Sequence, residues 1–100
     1  MRPITVDLTQ GALRPYFLFD EDLSIDELRA RLSGTDQDER LRLMAKLLRE
    51  ARDVDVWLFL SPREVAAALP AVRHRLGRRR PFWDFLMDGW RQDGLLDERP

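Results

Sequence analysis

The chain has no cysteine, a single histidine, His74, and a single lysine, Lys46. Without thiols there is no disulfide framework, no thiolate nucleophile and no thiolate metal site, and one histidine cannot form a histidine cluster. Zinc and thiol-redox chemistry are therefore excluded on composition, and neither a metal nor a cofactor is expected. Long apolar runs are also missing. None approaches the ~18 residues of a membrane span, and the opening MRPITVDLTQ has no apolar segment of the signal-peptide kind, so a cytoplasmic location is expected. A broad positive field is lacking too. Residues 1–60 carry nine basic and twelve acidic side chains, 61–80 six and one, and 81–100 two and five, within a net charge of −1. A protein devoted to gripping nucleic acid usually shows positive charge over a wide surface, because phosphate neutralisation supplies most of its affinity. This chain has only a patch.

What is present is enough for a folded domain. Over 100 residues, 44% hydrophobic and 35% charged side chains fit one globular unit with its own core. The chain reads as all-α, a compact bundle of about five short helices with an extended N-terminal arm. Residues 1–22 form the arm and an aromatic loop, 23–94 the helical core and 95–100 a tail. In the arm, Ile4, Val6 and Leu8 alternate with polar residues at strand period, but over a stretch with no visible ladder partner. The arm packs on the helices, pairs with another chain's sheet edge, or stays loosely ordered. Tyr16-Phe17-Leu18-Phe19 then gathers four large apolar side chains, either as a plug in the core or as an exposed partner-binding strip.

Helix starts are clear. Ser24 with Glu27, and Ser61 with Glu64, are capping boxes, with Leu23/Leu28 and Leu60/Val65 as hydrophobic staples and Pro62 at a position that needs no N–H. The first helix runs to about Leu32, with Gly34 expected in a left-handed conformation just beyond it. Asp36 and Glu39 open the second. Leu41, Met44, Leu47, Leu48 and Ala51 form its apolar face, while Arg40, Arg42, Lys46, Arg49, Glu50 and Arg52 read as solvated. Residues 53–60 are expected to continue that helix, so that Val54, Trp57 and Leu58 prolong the stripe and Trp57 is core. The helix opened by Ser61 is expected to stop at Leu69, ahead of Pro70, with a short helix over 71–76. That layout has the look of a helix-turn-helix, but proline cannot supply the positive backbone angle such turns commonly need.

Arg73 to Trp90, RHRLGRRRPFWDFLMDGW, sets five arginines and His74 against an aromatic helix. Arg78-Arg79-Arg80 is either a solvated loop or a contact for an anionic surface, since the guanidinium fork suits carboxylate and phosphate and stacks on rings such as Trp83. In the helix, Phe82, Phe85, Leu86 and Gly89 share one side while Trp83, Met87 and Trp90 widen the apolar arc. Trp83 or Trp90 is therefore expected to be partly exposed. Gly89 costs about 1 kcal/mol against alanine in a helix interior, and close backbone packing is the expected compensation. Gly94 ends the helix.

The motif Tyr16-Phe17-Leu18-Phe19-Asp20, the block Leu41 to Val65 around Lys46-Leu47-Leu48-Arg49-Glu50-Ala51-Arg52 and Val56-Trp57, and the ending Arg78 to Leu96 together resemble a group of small bacterial proteins. Most of the chain is covered by the likeness. Members are often encoded beside nucleotidyltransferases of the AbiEii type, which implies the antitoxin half of a toxin–antitoxin pair. The group's motif reads Tyr-Phe-Leu-Trp-Asp, and Phe19 here replaces its tryptophan. No residue role comes with the resemblance, only a class of partner.

Two functions stay in view. As a protein-binding module the domain would use Tyr16, Phe17, Phe19, Arg78, Arg79, Arg80, Trp83 and Trp90, meeting an acidic or phosphate-handling surface, because tryptophan, tyrosine and arginine dominate interface energetics. As a nucleic-acid binder it would place Arg73, Arg75, Arg78, Arg79 and Arg80 on phosphates with Trp83 as a stacking platform. Catalysis is not expected, because the acidic pairs Asp20/Asp22 and Asp84/Asp88 lie in a helix-entry loop and on a helix face beside Arg91.

Overall fold

The N-terminal arm folds back on its own chain. In the computed structural model, which describes residues 1–96, a short strand β1 (Ile4–Thr5) pairs in parallel with β2 (Arg14–Pro15), in the register Ile4 to Arg14 and Thr5 to Pro15. The alternating arm thus has a ladder partner after all, in a segment that sequence periodicity did not mark as strand. Asp7 makes the return possible: its carboxylate accepts from the Thr9 N–H at 3.1 Å and the Thr9 hydroxyl at 2.6 Å, closing a side-chain-to-backbone turn. Arg14 is buried, and its charge is met by carbonyls, with Nε donating to Arg2 O at 3.0 Å and Nη1 to Phe19 O at 2.7 Å.

The returning loop also completes the cap of α1 (Ile25–Leu32). Ile25 N–H donates to Leu13 O and Asp26 N–H to Gly11 O, both at 3.0 Å, while the Ser24 hydroxyl accepts from Glu27 N–H at 3.1 Å. Three of the four unpaired N–H groups of a helix start are satisfied in this way. A Cβ on Gly11 would collide with the Asp26 carboxylate, an exposed side chain that would have to turn away. Gly34, in contrast, does not take up the expected left-handed angle, because the turn after Leu32 closes through Ser33 and Gly34 N–H groups on Arg29 and Arg31 carbonyls.

Helix α2 (Gln37–Glu50) is the axis of the fold. Six consecutive residues, Leu43 to Leu48, are buried, where a single stripe was expected. The helix is wrapped by α1, by α4 (Pro62–Val72), by the 3₁₀ turn Tyr16–Leu18 and by the chain leading into α5 (Arg80–Gln92), so even Lys46 is enclosed. It does not run on to residue 60. Ala51 and Arg52 are extended, with ψ of 153° and 143°, and a separate short helix α3 (Asp53–Val56) follows. Tyr16 pins the break, its hydroxyl accepting from Arg52 N–H at 2.8 Å and donating to Asp55 Oδ2 at 2.6 Å. Two extended residues reset the helical phase. Asp55 and Val56 therefore point inward, Val54 and Leu58 outward, and Trp57 is only half-buried.

Both capping boxes form as expected, and α4 starts at Pro62. It continues through Pro70 to Val72, past the expected stop. Two 3₁₀ turns, Arg73–Arg75 and Gly77–Arg79, then connect it to α5, with Gly77 at φ 53° between them. No helix-turn-helix is built from these elements. Arg80 is already helical, and Gly94, at φ 75°, closes α5 through Leu95 N–H on Trp90 O at 2.9 Å. The fold is thus mostly helical, a small bundle of five α-helices with one two-stranded parallel ladder among the described residues. The tail expected over 95–100 lies outside the described residues from Asp97 onward. No helix among the described residues is long and apolar enough to cross a membrane.

Candidate protein-binding surfaces

The arginines of residues 73–80 do not make one cationic surface. Asp84, in the first turns of α5, takes two of them: Arg73 Nη2 donates to it at 2.6 Å and Arg80 Nε lies 3.6 Å away. Arg79 lies over the rings of Phe82 and Trp83, 5.3 and 5.8 Å from their centres, and donates to Ala51 O at 3.3 Å. Arg73 and Arg79 tie the 3₁₀ segment to α5 and to the end of α2, and the Arg80 contact lies within α5. Only the side chains of Arg75 and Arg78 are exposed with no partner among the described residues. Neither a solvated loop nor a joint phosphate clamp describes the run, which leaves the nucleic-acid reading two of its five arginines.

Helix α5 divides the remaining aromatic surface. At about 100° per residue, Trp83, Met87 and Trp90 fall in one arc and Leu86, Phe82, Gly89 and Phe85 in the next. The first arc faces inward. Trp83, 0% exposed, is the largest fully buried side chain, and its Nε1–H donates to Leu48 O at 2.8 Å. Expected as a partner anchor or a base-stacking platform, it is a core residue. The second arc faces out, with Phe82 at 38% and Phe85 at 78% exposure. Gly89 has no close packing among the described residues to compensate it, since a Cβ there would meet none of their atoms within 4 Å.

Trp57 and Trp90 meet beside this core. Their ring centres are 5.5 Å apart at 40°, and Trp57 sits edge-on to Trp83 at 5.7 Å. Together with Leu58, Phe59 and Pro62 they line an open groove of about 600 Å³. Leu58 is half exposed on its wall and Val54, on α3, is also exposed. Sequence periodicity had assigned Trp57, Val54 and Leu58 to the core. The available signal was Asp53 and Asp55, acidic residues of the kind that favour a helix N-terminus and so mark a fresh start at residue 53.

A second depression, of about 710 Å³, lies between the aromatic loop and α2, lined by Asp20, Glu21, Arg42, Lys46, Arg49 and Arg75 among others. Most of its charge is spent internally. Lys46 Nζ donates to Asp20 at 2.6 Å, which holds that carboxyl below its usual range, and Phe19, more than half exposed, has its ring centre 5.3 Å from the ammonium. Arg42 is bidentate on Glu21 at 2.8 and 2.9 Å and also reaches Glu39. Hydrogen bonds from Arg42 and Arg31 lower Glu39 to about 2. This face is a clamp between loop and helix. Phe17, expected at a partner surface, is buried beneath it, and Tyr16 is half-buried, its hydroxyl raised above the ordinary tyrosine range by burial and by Asp55. Of the eight residues expected to bind a partner, Arg78 and Trp90 offer surface with no polar partner among the described residues and Phe19 offers a ring already facing Lys46, and they belong to three different places. Among the described residues no group of three or more histidine, aspartate or glutamate side chains is gathered to hold a metal. Comparison with protein families, with curated proteins and with solved structures finds no match to this chain.

Proposed function

We propose that the domain works by binding another protein, with the Trp57–Trp90 groove as its anchor site. One observation carries this reading: Trp57, edge-on to the buried Trp83, and Trp90, tilted against Trp57, stand half-buried in the lining of an apolar groove whose wall includes the exposed Leu58. Tryptophan in a preformed pocket is the side chain that most often dominates interface free energy, and a site held by core contacts loses little entropy on binding. The resemblance noted in the sequence gives the partner a class, a nucleotidyltransferase-like toxin encoded alongside, which the domain would neutralise as its antitoxin by direct contact.

The test is titration calorimetry of the full chain against the product of the neighbouring gene. Leu58→Ser changes an exposed side chain and leaves the fold intact, and Trp90→Ala opens the groove. Each should weaken binding, Trp90→Ala by about 2 kcal/mol or more, as for an anchor residue. Binding that both variants leave unchanged moves the contact elsewhere. Binding to nucleic acid that falls steeply with salt, in place of the protein partner, would restore the alternative.

A further inference from the structure

We propose that the outer face of α5 is a self-association surface, on which two copies of the chain pair antiparallel with Phe82 of each seated over Gly89 of the other. This goes beyond the reading above and uses a different face. Gly89 is the first reason. It stands inside an aromatic helix, where glycine costs about 1 kcal/mol relative to alanine, yet among the described residues nothing needs the room, since a Cβ would meet none of their atoms within 4 Å. Glycine in a helix serves close approach, and a second copy of the chain would supply it. Phe82 and Phe85 are the second reason. Both are exposed on the same arc, with the half-buried Leu86 between that arc and the core.

The face is complementary to itself in one orientation. A two-fold axis between Phe85 and Leu86 sets Phe82 against Gly89, Phe85 against Leu86, and Arg78 against Asp93, each twice, as an isologous interface requires. Arg78 and Asp93 lie just beyond the two ends of α5, both exposed and neither side chain paired among the described residues. The parallel alternative stacks Arg78 on Arg78, Asp93 on Asp93 and leaves the Gly89 gap unfilled. Antiparallel pairing fills the gap and matches the charges.

Sedimentation velocity on the full chain, from micromolar to near-millimolar concentration, reads the outcome. The wild type should pass from 11.8 kDa to twice that mass. Gly89→Leu is the decisive variant: its side chain enters open space, so each copy folds, and it enlarges the exposed apolar surface. Indiscriminate stickiness would therefore increase in this variant, whereas a seat for Phe82 would be occupied and the dimer weakened roughly 10- to 100-fold. Asp93→Arg should weaken the pair, and Arg78→Asp combined with Asp93→Arg should recover it. A wild type monomeric throughout, or a Gly89→Leu chain that associates as tightly as wild type, overturns the proposal. Titration of Gly89→Leu with the protein partner separates the two surfaces, since the groove is untouched by it.

Discussion

Both sides of α5 are rich in large apolar residues, yet only one of them belongs to the core. Trp83, Met87 and Trp90 look inward, and Trp83 has its indole N–H on the Leu48 carbonyl at 2.8 Å. Phe82, Leu86, Gly89 and Phe85 look outward, with Phe85 the most exposed of the aromatic side chains. Composition cannot rank these faces, because phenylalanine and tryptophan are equally at home in an interior. What separates them is polar supply. The inward face has an acceptor for the N–H of its fully buried tryptophan, Trp83, and the outward side chains of Phe82, Phe85 and Leu86 carry no polar atom. Phenylalanine is the ring that loses nothing when the far side is another protein instead of its own core.

The sharpest way to break this comparison is at Trp83. Trp83→Ala should cost about 3–5 kcal/mol, combining the lost burial, the cavity and an unpaired Leu48 carbonyl. Urea unfolding followed by circular dichroism measures it. A cost under about 1.5 kcal/mol, typical of a well-tolerated swap, would mean that the interior is not organised around this ring.

How much of this was legible follows the range of the forces involved. Ser24/Glu27 and Ser61/Glu64 settle their helix starts within four residues, and both capping boxes form. Gly94 ends α5 for an equally local reason. The faces of α5 were grouped correctly by periodicity, but which group is covered depends on where α2 lies, and no local signal carries that. The same limit applies to Trp57. Its place on a continuous stripe assumed an unbroken helix, and the break at Arg52 is made by Tyr16, 36 residues away. Lys46 looked solvated for a similar reason: its partner, Asp20, is 26 residues distant in a loop whose path only the fold determines. Of the arginine run, Arg73 and Arg80 meet Asp84 and Arg79 lies over the rings of Phe82 and Trp83, while the side chains of Arg75 and Arg78 stay without a partner among the described residues, a division that no local signal carries.

A smaller effect of opposite sign is expected at Gly89. In the single copy, Gly89→Ala meets no neighbour among the described residues and relieves the entropic penalty of glycine, so stability should rise by about 0.5–1 kcal/mol. The measurement belongs at low concentration, where association contributes nothing. Destabilisation by Gly89→Ala would show that the single chain does need the space a Cβ would fill, and the contrast between the two faces would then be lost.

The smallest effect on the isolated fold, and the most informative, is expected at Phe85. Its side chain is 78% exposed, so Phe85→Ser removes little buried surface and should change dilute-solution stability by no more than about 0.5 kcal/mol. Association makes stability depend on concentration, because a partner that binds only folded chains draws the equilibrium toward them. The wild type should therefore melt at a temperature that climbs with protein concentration, whereas Phe85→Ser should melt at the dilute value throughout. Differential scanning calorimetry over a concentration series gives both curves. Parallel curves with the same slope would place the self-contact on another surface, and two flat curves would make the outer face of α5 solvent-exposed at every concentration sampled. A flat curve for Phe85→Ser beside a rising one for the wild type would leave Trp83 stabilising the chain and Phe85 stabilising only the pair.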